Sequence, residues 1–424
     1  MADTGKIAEV LFENALETYE HQMQLVDLTT VFTPDAGDMQ NSGNFVWRPK
    51  QQHAPILDGW DLTGQETGII EETYPAILGT PKNDFVEQRA DDLRDTMFWE
   101  RRGKQSGLQQ ATELNKNLAT LIKNTGSLFY RSNTASGYNF IAESQALQNE
   151  RQSAVDTRCF VLNDRDQLKF SSDLAGRQTL QGRPESTWAT GQIGSNVAES
   201  DIYTGSYLPN LVGGADPATT VTADQSFKPE GGTVDAATGV VTNFDYRLAT
   251  LPVAASGSYN IGDKVSFANG GTTVKAVGLA DKSDTGQAMT FTIVAKPSAT
   301  SVQVYPKPIA LDDPALSVLE KAYANVNTRI LNTATMNRLN IDASAKSNLF
   351  WSKDSIEVFA GSIPANLFSE FAGKKVVSST LKSGLQMYMV YDGKIDDMTF
   401  RFRLFTWYGL TNCNPMANGV AVTY

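Results

Sequence analysis

Ser106–Gly126, SGLQQATELNKNLATLIKNTG, is the stretch whose reading decides the fold. Leu108, Ala111, Leu114, Leu118, Leu121 and Ile122 recur at the spacings that keep apolar groups on one side of a helix. Ser106 is the expected N-cap, Lys123 suits the negative end of the macrodipole, and Gly126 falls where a left-handed stop belongs. At 1.5 Å per residue the helix is about 28 Å long. Gln109, Gln110, Glu113, Lys116 and Asn117 make its other side polar, so it lies on a core and is not enclosed by one.

Outward from this helix, 424 residues exceed one small core and predict two to three domains, with 41% apolar and 20% charged residues as in a folded chain. The formal charge of −11 argues against a general nucleic-acid binder, which needs clustered Lys and Arg to neutralise phosphates. Cys159 and Cys413 are far apart and lack partners at metal-ligand spacing, so neither a disulfide framework nor a zinc site is expected. The first residues lack the basic start and apolar centre of a secretory signal, and no run is long enough for a membrane span. A cytosolic, soluble product is expected.

Residues 6–26 predict a first helix, along which Glu9, Glu13, Glu17 and Glu20 form an acidic edge. That edge is either a solvated face or a docking strip for a basic partner. From Thr33 to Pro81, short extended pieces alternate with Pro and Gly, and Phe45–Trp47 and Gly68–Leu78 predict a long open hairpin. Such a hairpin needs another surface to lie on, with Trp47 and Trp60 as candidate anchors. Glu87–Glu100 predicts a helix of alternating charge, a surface salt-bridge face more than a metal or acid/base site.

Gly213–Pro217 marks a shift to Thr, Val, Gly and Ala, after which short strands near 248–253, 264–267, 272–277, 289–295 and 302–305 predict a small β-barrel or sandwich. Glu230–Phe244 is expected to be a protruding loop. Beyond it, helices are expected at Ala315–Tyr323 and around Asn327–Leu339, and strands at Ser355–Phe359, Met398–Trp407 and Gly419–Val422. In the second of these strands Phe400, Phe402 and Leu404 alternate with Arg401 and Arg403.

His21 and His53 are the only histidines, and neither accompanies a recognisable Ser or Cys nucleophile. No phosphate-cradling or dinucleotide-type glycine loop is present. Asp312 and Asp313 precede a helix, where capping accounts for them, and Asp281, Asp284 and Gly286 lack the closing Glu of a calcium loop. No cofactor, metal site or enzymatic activity is expected. An arm, a coreless hairpin and a protruding loop describe an assembly subunit, the alternative being a non-enzymatic β-domain binding or adhesion protein.

Several segments support the first reading: Gly59–Thr63, Asn83–Phe85, Arg89–Asp95, Gln225–Pro229, Pro306–Asp313, Ala322–Thr328, Ile363–Asn366 and Trp407–Gly409. In this order the chain resembles the coat proteins of short-tailed double-stranded DNA phages of enteric bacteria, whose subunit has the tailed-phage capsid fold named after phage Hong Kong ninety-seven. The resemblance implies an α+β fold with an N-terminal arm (1–47), an extended loop (48–80), a peripheral domain with the spine helix (81–130), a mixed axial and peripheral region (131–212), an inserted β-barrel (213–342) and an axial and peripheral return (343–424). It further implies an icosahedral shell of pentamers and hexamers, built in the host bacterial cytoplasm with scaffolding protein and a portal, that encloses double-stranded DNA and expands during packaging. Glu9, Glu13, Glu17 and Glu20 would then meet the scaffold, and Asp235, Asp245 and Arg247 would be ion-pairing groups of an inter-capsomer loop.

Overall fold

The computed structural model describes residues 3–34, 45–63, 68–89, 96–133, 138–153, 157–176, 194–229, 245, 247–341, 343–363, 369, 375–394, 396 and 398–423. Asp235, the 230–244 loop and part of the segments 89–95 and 363–366 lie outside them. Among the described residues the helices are α1 (Asp3–Gln22), α2 (Thr96–Thr125), α3 (Tyr138–Glu150), α4 (Asp164–Gly176) and the single turn α5 (Val318–Lys321). With some two dozen short strands this is an α+β chain. It divides into two units: Met1–Val46 with Ala76–Leu118 and Ile356–Thr411, and Trp47–Pro75 with Ala119–Ser355 and Asn412–Tyr424.

The first unit is built on a four-stranded antiparallel sheet in the order Lys375–Thr380, Gln386–Lys394, Thr399–Thr406, Lys82–Arg89. Alternation puts Met387, Met389, Phe402 and Leu404 on one face, where they pack with Trp99, Ala111 and Leu114 of α2 and with Leu11, Ala15 and Tyr19 of α1. Gln110 Nε2 donates to Leu404 O at 3.1 Å, so one polar group of α2 is satisfied inside this contact. Thr30–Phe32 runs parallel to Ile356–Ala360 in a smaller sheet.

The structure corrects the helix boundaries expected here. α2 starts ten residues before Ser106, which is a buried interior residue and not an N-cap. Gly103 and Gly107, which look like breakers in sequence, let α1 approach: a Cβ would lie 2.5 Å from Leu11 O at the first and 2.3 Å from Ala15 O at the second. Leu114, Leu118 and Ile122 are fully buried, whereas Leu108 and Leu121 are half-buried at the margin of the stripe.

The helix expected over Glu87–Glu100 is corrected at its start, where Glu87–Arg89 belongs to the edge strand Lys82–Arg89, whereas Thr96–Glu100 is helical as the first turn of α2. Ladder pairing with Thr399–Thr406 overrides the charge spacing, and the alternating signs serve cross-strand contacts: Arg401 Nη2 lies 3.1 Å from Glu87 Oε1, and Arg403 Nε donates to Asn83 Oδ1 at 2.8 Å. Asp84 on the other face receives Arg102 of α2 at 2.7 Å.

In the second unit the strands run in the order Ala218–Thr220, Thr335–Arg338, Lys264–Asn269, Phe291–Ser298, Ser301–Tyr305, Ala249–Pro252. A Val221–Val253 bridge joins the ends of this path, with Thr222 N to Pro252 O at 3.1 Å and Ala254 N to Thr220 O at 2.9 Å. The sheet therefore closes on itself and removes its own edges. Leu251, Val265, Phe267, Phe291, Ile293, Val304 and Met336 fill the interior.

Met336 exposes a further correction: residues 327–339 are not helical, and Thr335–Arg338 is a central strand of this barrel. Pairing on both sides, with Ala218–Thr220 and with Lys264–Asn269, decides the strand. Ala315–Tyr323 likewise contains only α5, held by a capping box between Ser317 and Glu320.

A second large sheet of this unit has the order Leu128–Ser132, Asn418–Thr423, Ala345–Ser352, Arg158–Leu162, Ser200–Thr204, Gly194–Val197, with Asn210–Leu211 paired to Ala345–Lys346. Phe160 and Phe350 stack in its core. α4 is capped by Asn163, whose Oδ1 accepts from Arg165 N and Asp166 N, both at 3.1 Å.

Candidate functional site

The acidic edge of α1 is presented by its helical period. Ala8, Leu11, Phe12, Ala15 and Tyr19 face the core, which leaves Glu9, Glu13 and Glu17 exposed four residues apart. Glu20 differs from these three. It is partly covered and accepts the Lys382 N–H at 3.2 Å, with the ammonium at 3.8 Å. The free acidic row is therefore three carboxylates long, and no cation among the described residues forms an ion pair with them.

The extended segment is anchored at its neck. Phe45–Pro49 pairs with Thr73–Ile77, which lies within the Gly68–Leu78 stretch expected to form the second leg, and Lys50 Nζ lies 2.5 Å from the buried Glu72 carboxylate. Trp47 is half-buried, whereas Trp60 is 107% exposed and Ile56 92% exposed. Uncovered apolar side chains on a segment with no core of its own are a surface made for a partner.

At the foot of the barrel, Arg247 is committed within its own chain. Nε and Nη2 donate to the two Asp245 oxygens at 2.8 and 2.6 Å, and Nη1 donates to Asn412 O at 2.5 Å. The guanidinium also sits 5.4 Å from the Tyr74 ring and 5.5 Å from the Tyr305 ring. Burial opposes its charge, but Tyr305 and Asp245 outweigh that and hold it more firmly protonated than usual. Asp245 and Arg247 thus form a closed pair, and Asp235 is outside the described residues.

Two further buried cations carry no signal in the sequence. Lys264 alternates with core residues on its strand and would be read as a solvent-facing lysine, yet it is wholly buried. Its ammonium donates to Lys123 O at 2.8 Å, Gly126 O at 2.5 Å and Thr292 Oγ1 at 2.9 Å, closing the C-terminus of α2. Burial, then Lys123, push its pKa well below that of an ordinary lysine, with Asp263 opposing. Arg151, just beyond α3, is equally enclosed and donates to Ala288 O at 3.2 Å.

Among the described residues no three His, Cys, Asp or Glu side chains come together as metal ligands. Asp312 and Asp313 accept from Arg329 N and Ala315 N, both at 2.9 Å, and Asp281 closes a turn by accepting from Ser283 N at 3.0 Å. No described helix is long and apolar enough to cross a membrane.

Surfaces of this kind define a structural subunit that works through contacts with other chains. The chain belongs to the P22 coat protein family: the family model described as "P22 coat protein - gene protein 5" matches residues 1–423. It is a structural, non-enzymatic phage coat protein whose copies assemble into the icosahedral capsid shell of the virion. Solved structures similar to it include the capsid of the cyanophage P-SCSP1u, at 11% identity and a TM-score of 0.45, covering 94% of this chain and 86% of that one. The capsid of Ralstonia phage GP4 is similar at 8% identity and a TM-score of 0.44, covering 94% and 87%. The CUS-3 coat protein I-domain is 27% identical over 30% of this chain and 97% of that one, with a TM-score of 0.22.

Proposed function

We propose that the subunit is delivered into the growing shell by a basic scaffolding protein that docks on Glu9, Glu13 and Glu17. The supporting observation is the exposed row of three carboxylates on a helix whose opposite side is core. Glu20, already engaged by Lys382, contributes to the field of the strip more than to direct pairing. Pentamers and hexamers assemble in the host bacterial cytoplasm around the scaffold and a portal through heterologous contacts, and the shell expands as double-stranded DNA enters. The net charge of −11 suits a container that holds DNA without trapping it.

In this reading residues 1–47 are the arm, 48–80 the extended loop, 81–130 the peripheral domain, 131–212 a mixed axial and peripheral region, 213–342 the inserted barrel and 343–424 the axial and peripheral return. Trp47 and Trp60 seat the extended loop on a neighbouring copy. The Asp245–Arg247 pair fixes the base of a loop whose Asp235 meets an adjacent capsomer. Electron microscopy of the chain expressed with its scaffolding protein tests the proposal. Closed shells with scaffold inside are expected, and shells that form equally well and fully closed without scaffold would overturn it.

A further inference from the structure

The neck of the extended segment has a feature that shell formation alone does not require. Its two legs, near residues 50–53 and 70–72, are separated by a stretch with little core, yet one side chain from elsewhere touches both. Tyr323 follows α5 in the segment that leaves the barrel, and it is buried together with Ile309, Leu316, Ala322 and Ala324, against which Ile70 also packs. Its hydroxyl accepts the His53 N–H at 3.2 Å and donates to Ile70 O at 2.8 Å. A single oxygen therefore joins backbone atoms seventeen positions apart. The His53 ring stands edge-on to the Tyr323 ring at 5.2 Å. Lys282, from a barrel turn, braces the same segment by donating to Ala324 O at 3.2 Å.

We propose that Tyr323 is a positioning residue that sets the direction of the extended segment, so that the strap Pro306–Val326 aims the exposed Ile56 and Trp60 side chains at their partner. The Lys50–Glu72 contact closes the neck from the adjacent pair of residues but does not reach the strap. The tyrosine hydroxyl ties both legs by hydrogen bonds to a body with its own core. The ring supplies packing and the oxygen supplies direction, and these two roles are separable because phenylalanine retains the first and lacks the second.

The test is Tyr323→Phe in the full-length chain, by hydrogen–deuterium exchange on the unassembled subunit followed by electron microscopy of assembly reactions. Exchange in peptides spanning 50–55 and 70–72 is expected to rise about tenfold, with the barrel strands as protected as in the parent. Unchanged exchange at the neck would overturn the proposal. So would loosening that extends through the strap and barrel, which would make Tyr323 an ordinary core residue. The aiming role rests on the assembly reading and is checked separately: fewer closed shells and more open or misshapen ones are expected from Tyr323→Phe. A variant with a loosened neck whose shells close like the parent's would overturn that role while leaving the subunit's place in the shell intact.

Discussion

Replacing Lys264 by Met separates two effects that a buried ammonium combines. The lysine makes three hydrogen bonds, to Lys123 O, Gly126 O and Thr292 Oγ1. Charge-assisted bonds of this kind contribute about 1.5–3 kcal/mol each, but enclosing the charge opposes folding by several kcal/mol. Methionine keeps most of the stem volume and leaves no stranded charge behind, because every acceptor is neutral. Gly126 O retains the Thr292 hydroxyl at 2.5 Å, so Lys123 O is the acceptor most exposed to the loss. An unsatisfied carbonyl costs about 1–3 kcal/mol, and the expected destabilisation of Lys264→Met is about 2–3 kcal/mol. Urea unfolding of the full chain, followed by circular dichroism and tyrosine fluorescence, measures it. Because the folded pKa lies below the unfolded one, the unfolded chain binds the extra proton as pH falls through that window. The parent therefore gains stability as pH rises towards the free-lysine value, and the deficit of Lys264→Met widens in the same direction. A methionine variant at least as stable as the parent, or a deficit that shrinks with rising pH, would refute this account.

Gly107→Ala places a methyl group 2.3 Å from Ala15 O and is expected to destabilise the first unit by about 1–3 kcal/mol, seen as a lower urea midpoint with α1 amides exchanging first. Glu13→Lys with Glu17→Lys is expected to weaken scaffold binding while leaving circular dichroism unchanged; undiminished scaffold uptake would return the strip to a solvated face. For His53, burial, then Lys282 and Lys50, lower the pKa to about 4, against a smaller opposing pull from Glu72. The unfolded chain takes up a proton near the ordinary histidine value that the folded chain refuses until about pH 4, so this contribution to stability is present above about pH 6.5 and is lost as pH falls towards 4. His53→Gln is expected to flatten that part of the pH profile in paired urea titrations, and an identical slope in both chains would contradict the assignment.

The readable parts of the sequence are those where one period dominates. Phe402 and Leu404 alternate with Arg401 and Arg403 on a strand with one covered face, and Leu114, Leu118 and Ile122 are buried at a helical interval. The shift to Thr, Val and Gly after Gly213 marks the barrel because its strands are short and its turns frequent. The misread parts are those where long-range pairing decides. Glu87–Arg89 and Thr335–Arg338 fall in stretches that predict helix but pair with strands more than sixty residues away. Gly103 and Gly107 mark a close helix crossing, which spacing alone does not distinguish from a break. Among the contact groups, the exposure of Glu9, Glu13 and Glu17 follows from the period of α1. The duties of Lys264 and Tyr323 arise only from what folding places beside them.

The three enclosed cations share a further property. Lys264, Arg151 and Arg247 all address main-chain oxygens, at Lys123 and Gly126, at Ala288 and at Asn412. Every residue carries a carbonyl, so a replacement at Lys123 or Ala288 leaves the acceptor in place, whereas a replacement of the cation removes the donor outright. Tolerance to substitution is thus lopsided at the Lys123 and Ala288 contacts, with the donor's codon constrained and the acceptor's free to drift, whereas Gly126 and Asn412 are held by their own close packing and side-chain bonds. A coat gene under pressure to vary could change one side of these junctions without unmaking them.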